Sequence, residues 1–158
     1  MSRMHPFHPV LVHFPLAFLL VGSGAHALYA FSPSEMLWTF TLYLTGLGLC
    51  FALPALLAGL HDFYIRIVRS KRTDTYTQAG LHILAVLTAL CGYGACLLYS
   101  IKSGAGNVSM VVLLPLSGFS AMALIVGGWL GGEMVYRHGI GQIEQSEDQA
   151  QRVKTDPL

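Results

Sequence analysis

Four stretches free of Asp, Glu, Lys and Arg govern what this chain can become: residues 10–30, 36–60, 78–100 and 108–132. Wound as helices at ~1.5 Å per residue, each is long enough to cross ~30 Å of hydrocarbon. A soluble domain of 158 residues has no interior large enough to hide four such rods. The 54 % hydrophobic content, 11 % charged content and mean hydropathy of +0.58 agree, being too apolar for a water-exposed surface. The expected fold is an all-α membrane protein, a four-helix up-down-up-down transmembrane bundle. Residues 1–143 form its one domain and 144–158 a polar C-terminal tail.

Several function classes fall away on the same reading. A net charge of +1 without a basic stripe gives nucleic acid no footing. No nucleophile elbow, phosphate loop or HExxH motif is present. Arg3 followed by an apolar run resembles a secretory signal, but the run exceeds the ~7–15 residues of a signal core, so a retained helix is expected. Cys50, Cys91 and Cys96 all fall in apolar runs and read as small core residues.

Local signals punctuate the spans. Pro9 suits a first helical turn, whereas Pro15 lies inside span one and frees the carbonyl of Leu11, giving a bend near His13 or a late helix start. Ser34 is placed to cap a helix beginning near Met36, and Trp38 and Tyr43 are expected at the headgroup level. Pro54 is a candidate kink. Thr75 or Thr77 is placed to cap span three, and residues 101–107 form a flexible turn before span four. Near the end of span four, Gly127/Gly131 and Gly128/Gly132 form two overlaid GxxxG pairs, which permit close approach of a helix or a flat ligand. Gly22-Ser23-Gly24 and Gly46-Leu47-Gly48 read as packing sites.

Four spans place both termini and the 61–78 loop on one side of the bilayer. That side holds eight basic residues, Arg3, Arg66, Arg69, Lys71, Arg72, Arg137, Arg152 and Lys154, against Lys102 alone on the other. The positive-inside rule then makes both termini cytoplasmic in a bacterial inner (cytoplasmic) membrane.

The same topology gathers six of the seven histidines at one end. His13 and His82 each lie about four residues inside an apolar run, hence ~6 Å below the same surface. An unsatisfied imidazole there is costly, so ligation or proton relay is expected of this pair. His8, Asp62, Glu133 and His138 fall at the same end. Asp62 and Glu133 have an equally good structural reading, as caps or as partners of Arg66 and Arg137. His5 and His61 read as interfacial side chains, and His26 as an interhelical hydrogen-bonding group.

His8-Pro9-Val10-Leu11-Val12-His13-Phe14-Pro15 resembles the HPxxVHFP opening of the bacterial membrane protein family known as domain of unknown function 2231. Gly59-Leu60-His61-Asp62 resembles its Gly-x-x-Asp exit from span two. Residues Gly131 to Gly141, with Glu133, Val135, Tyr136 and His138, are similar to its GGxxVYxHGxG ending. His61 departs from the pattern, where an apolar residue is more usual. The resemblance runs to about residue 143 and implies a four-span inner-membrane protein, sometimes joined to or near redox modules such as cytochrome c domains. It points to His8, His13, Asp62, His82, Glu133 and His138.

Three functions fit these residues. In the first, His13 and His82 clamp a b-type haem, Gly128 and Gly132 leave room for the macrocycle, and Arg66, Arg69 or Arg137 hold its propionates. His8 and His138 bind a second haem or hydrogen-bond the first. The protein then transfers electrons between a quinone or cytochrome-type partner and another acceptor. In the second, His8, His13, Asp62, His82, Glu133 and His138 supply ligands for zinc or iron, in nonhaem metal binding or metal/proton transport. His8 and His13 are five apart, about 140° around a helix, and converge only if the prolines distort it. The third is a noncatalytic membrane subunit whose polar end docks a redox partner.

Overall fold

The computed structural model describes residues 7–69 and 75–138, apart from the side chains of Phe7, His8, Pro9, Arg66 and His138. Four helices account for nearly all of it: α1 (Phe7–Phe31), α2 (Glu35–Phe63), α3 (Tyr76–Ser103) and α4 (Met110–His138). A π-helical turn, Tyr64–Val68, extends α2. All four are long and apolar enough to cross a membrane. At 25 to 29 residues they overrun the charge-free stretches at most ends, because a helix continues through the headgroup zone after its apolar section stops.

The outer surface agrees with this reading. Val111, Phe31, Met36, Leu57 and Trp129 all lie at least 66 % exposed, an arrangement that water penalises and lipid does not. Inside, close contacts pair Gly22 with Thr45, Leu19 with Gly48 and Tyr29 with Trp38, so α1 and α2 run in opposite directions as a tight hairpin. Gly92 against Ser120 and Gly127 against Val86 do the same for α3 and α4. The two hairpins meet more loosely, along α1/α4 and α2/α3.

Local chemistry sets the turns. Ser34 caps α2 by accepting a hydrogen bond from the Leu37 N–H at 3.2 Å. α4 starts at Met110, two residues beyond the charge-free boundary, because tyrosine hydroxyls hold the preceding turn. Tyr29 accepts from the Gly106 N–H and Tyr99 from the Ser109 N–H, both at 3.1 Å. Gly104 and Gly106, at φ +75° and +81°, supply the left-handed backbone this turn requires. α1 begins at Phe7 and passes through Pro15, so the late helix start is excluded.

Two expectations are corrected. Trp38 does not face outward as an aromatic-belt residue would: it is 5 % exposed and rests on Tyr29 with ring centroids 5.1 Å apart, since the short 32–34 turn folds both rings inward. Cys50 and Cys91 are exposed, and only Cys96 joins the core. In lipid an apolar run says nothing about which of its faces is inside.

The core has two centres. Tyr29, Trp38, Cys96 and Leu113, one from each helix, pack near the turns. Leu19, Ala89, Tyr93 and Leu124 pack at mid-depth. A polar chain runs through it: Tyr93 and Ser23 share a hydrogen bond of 2.7 Å, the Ser117 hydroxyl donates to Ser23 at 3.0 Å, and His26 Nδ1 meets Ser117 Oγ at 3.2 Å. His26 thus fills the interhelical role expected of it. Buried polar groups in lipid need such partners.

Candidate functional site

Close packing stops above the mid-depth core, and a half-open cavity of about 350 Å³ begins there, lined by residues of all four helices. This lies within the range of small-molecule sites, roughly 300–1,000 Å³. Leu16, Leu90 and Leu124 form its floor, shared with the core below. The walls are apolar except for His13 from α1, Asp62 from α2 and His82 from α3.

His13 and His82 each stand six residues after the first residue of their helix, which brings them to the same end of the bundle, and both line this one cavity. Stacking of Phe14 and Phe18 on Phe51, with centroids 5.3 and 5.7 Å apart, fastens the His13 segment of α1 to α2. His82 is held more specifically. Its Nδ1–H donates to the Gly127 carbonyl at 2.7 Å, so the neutral ring carries its lone pair on Nε2. Metal-binding imidazoles are oriented by this kind of bond.

The overlaid glycine pairs divide the work. A Cβ on Gly127 would meet Val86, and one on Gly131 would meet His82 Cε1 at 3.1 Å, so this pair lets α3 approach α4 and admits the imidazole. Gly128 and Gly132 have nothing within 4 Å of a Cβ and, with Gly131, line the cavity.

The remaining candidates separate. Asp62 lines the cavity and lies 3.8 Å from exposed His61. Glu133 is not among the lining residues and forms an i,i+4 ion pair of 2.9 Å with Arg137. His8 and His138 lie in α1 and α4, but their side chains, with that of Arg66, are outside the described residues, as are His5 and the 144–158 tail. Among the described residues no group of three or more His, Cys, Asp or Glu is placed to hold a metal ion.

Of two polar side chains near this end, the sequence singles out Thr75 only as a cap of α3, a role it does not fill, and passes over Gln78. Thr75 precedes α3 but makes no capping bond, and its buried Oγ1 has no partner; Gln78 Oε1 is likewise buried and without one. Their spacing from His82, seven and four residues, is the available signal.

Compared with known proteins, residues 4–144 match a family model described as "Predicted membrane protein (DUF2231)". No curated protein and no solved structure matches the chain.

Proposed function

The chain belongs to the DUF2231 family of predicted membrane proteins, and from that premise we propose that it is a bacterial inner-membrane carrier of single electrons, holding a b-type haem between His13 and His82. The observation that carries the proposal is that His82, its Nδ1 oriented by the Gly127 carbonyl at 2.7 Å, lines one cavity at the same end of the bundle as a second imidazole. His13, from a different helix, lines the same cavity. Apolar walls and the open space over Gly128 and Gly132 suit a flat macrocycle.

The chain's own contribution is binding and insulation. His13 and His82 supply neutral imidazole ligands, and the floor of Leu16, Leu90 and Leu124 keeps water from the buried side. When bound, haem supplies one-electron chemistry at a potential set by its ligands and burial. In this reading the cavity end and both termini are cytoplasmic, following the basic residues, and the redox partner is a quinone or a cytochrome-type protein.

Nonhaem zinc or iron is the second reading, supported by the Asp62 carboxylate on the same cavity. Glu133, engaged by Arg137, is less suited to join it. Oxidised and reduced absorption spectra of the protein, purified in mild detergent after haem-replete expression, separate the two. A Soret band that H13A and H82A each abolish is expected. No Soret band, with stoichiometric zinc or iron, would replace haem by the nonhaem site, and full haem content in both variants would refute the ligand pair.

A further inference from the structure

The cavity is not closed on every side. At half depth α1 and α4 are tied together, where the Ser117 hydroxyl donates to Ser23 at 3.0 Å and Leu19 packs with Leu124. From that tie both helices run on toward the cavity end. His13 precedes Ser23 and Gly128 follows Ser117 by nearly equal lengths of helix, ~15 and ~17 Å at ~1.5 Å per residue, so the two stand at one depth on neighbouring helices. Both line the cavity, and both are nevertheless exposed. The seam between α1 and α4 is therefore a mouth of the cavity.

The surroundings of the mouth decide what reaches it. Val10 and Phe14 flank His13 on α1, Trp129 follows Gly128 on α4, and all three are exposed. The first charge beyond Gly128 is Glu133, so the mouth lies ~7 Å inside the charge-free run. Large apolar side chains exposed at that depth face hydrocarbon. Molecules dissolved in the bilayer meet the mouth directly, whereas a water-soluble partner meets only the ends of the helices.

The chemistry of the mouth selects among such molecules. Gly128 and Gly132, one turn apart, have nothing within 4 Å of a Cβ, which leaves the α4 side bare backbone. The α1 side carries the His13 imidazole. A flat ring lies against a strip without side chains and finds in the imidazole both a π-face and a polar nitrogen. A lipid acyl chain uses neither. Quinones join a flat ring with carbonyl acceptors to solubility in hydrocarbon and the carriage of electrons.

We propose that the mouth between α1 and α4 docks the ring of a membrane-dissolved quinone, a step that rests on the electron-carrier reading above. Gly128 and Gly132 form the flat wall of the dock and His13 the opposite one. The isoprenoid tail stays in the bilayer, along the apolar outer faces of α1 and α4. Of the two partner classes, this favours the quinone over a cytochrome-type protein.

The test is photolabelling of the full-length protein in mild detergent with an azido-benzoquinone bearing a decyl tail. Labelled residues are located by mass spectrometry, and haem content is read from the Soret band of the same sample. Labelling is expected within residues 10–14 and 128–135, suppressed by excess decyl-benzoquinone but not by decanol, which has the tail and lacks the ring. G128L, which fills the flat wall, is expected to lower the labelling about tenfold. G118L, at an exposed glycine of α4 outside the mouth with open space at its Cβ, is expected to leave it unchanged. Suppression by decanol as complete as that by the quinone makes the mouth a lipid-chain site and overturns the assignment. Labelling spread over the lipid-facing surface, or undiminished by excess quinone or by G128L, overturns it too. The wild-type competition decides even if G128L misfolds. Protein that shows a Soret band but no labelling at the mouth refutes the dock alone, and protein labelled there without a Soret band supports the dock while refuting the haem.

Discussion

Adding one methyl group at Gly48 tests the packing of α1 against α2. An ideal Cβ there lies 2.6 Å from Leu19 Cγ and Cδ2 and 3.3 Å from the Leu19 backbone nitrogen. Carbon atoms pack at ~3.5–4.0 Å, so about 1 Å of movement is required. Leu19 has little freedom to provide it, being 0 % exposed and packed with Ala89, Tyr93 and Leu124. Overpacking of this kind costs about 1–3 kcal/mol, against a gain of about 1 kcal/mol when alanine replaces glycine in a helix. Gly46, two residues away on the same helix, has nothing within 4 Å of its Cβ position. The helix gain is common to both sites and cancels in their difference, so G48A should be less stable than G46A by about 1–3 kcal/mol. The measurement is reversible unfolding in mixed micelles by titration with a denaturing detergent, followed by the fluorescence of Trp38, which is buried against Tyr29. Equal midpoints for the two variants would refute the close approach. A further check is the pair L19A and L19A/G48A: the cavity left by Leu19 should accept the added methyl group, making G48A cost less there than in the wild type.

The chain from His26 through Ser117 and Ser23 to Tyr93 makes a second prediction, since H26F and S117A should be non-additive in unfolding, with a coupling of about 0.6 kcal/mol and at most about 1.7; strict additivity would mean that the 3.2 Å contact contributes nothing. G131A should disturb His82, because its Cβ would press on Cε1 at 3.1 Å and Nδ1 at 3.3 Å, and the ¹⁵N signals of the His82 ring should move away from the Nδ1–H pattern. G128A, with open space at its Cβ, should leave those signals in place, and identical spectra for the two variants would contradict the division of labour between the glycine pairs.

Much of the candidate site was legible before any coordinates. Counting residues from the edges of the apolar runs put His13 and His82 at one height, and their shared cavity agrees. The cap at Ser34 and the interhelical role of His26 were also readable, because each depends on local sequence or on the cost of a polar group in lipid. Glu133 was balanced between the site and Arg137, and the structure pairs it with Arg137 at 2.9 Å. Thr75 was legible only as a cap, a role it does not fill, and Gln78 escaped notice, because a lack of partners is something no residue pattern records.

The four charge-free runs determined by themselves that the chain is a bundle of membrane helices, since backbone polar groups in lipid must be satisfied within each segment. Their uniform apolarity also limited what they could say. A helix in water shows its inner face by an apolar stripe, whereas a helix in lipid is apolar all round. Only the tertiary structure therefore decided that Trp38 faces inward while Cys50 and Cys91 face outward, which glycines meet α3, and which nitrogen of His82 meets the Gly127 carbonyl. Those choices depend on close contacts between helices, and hydropathy along the chain carries no record of them.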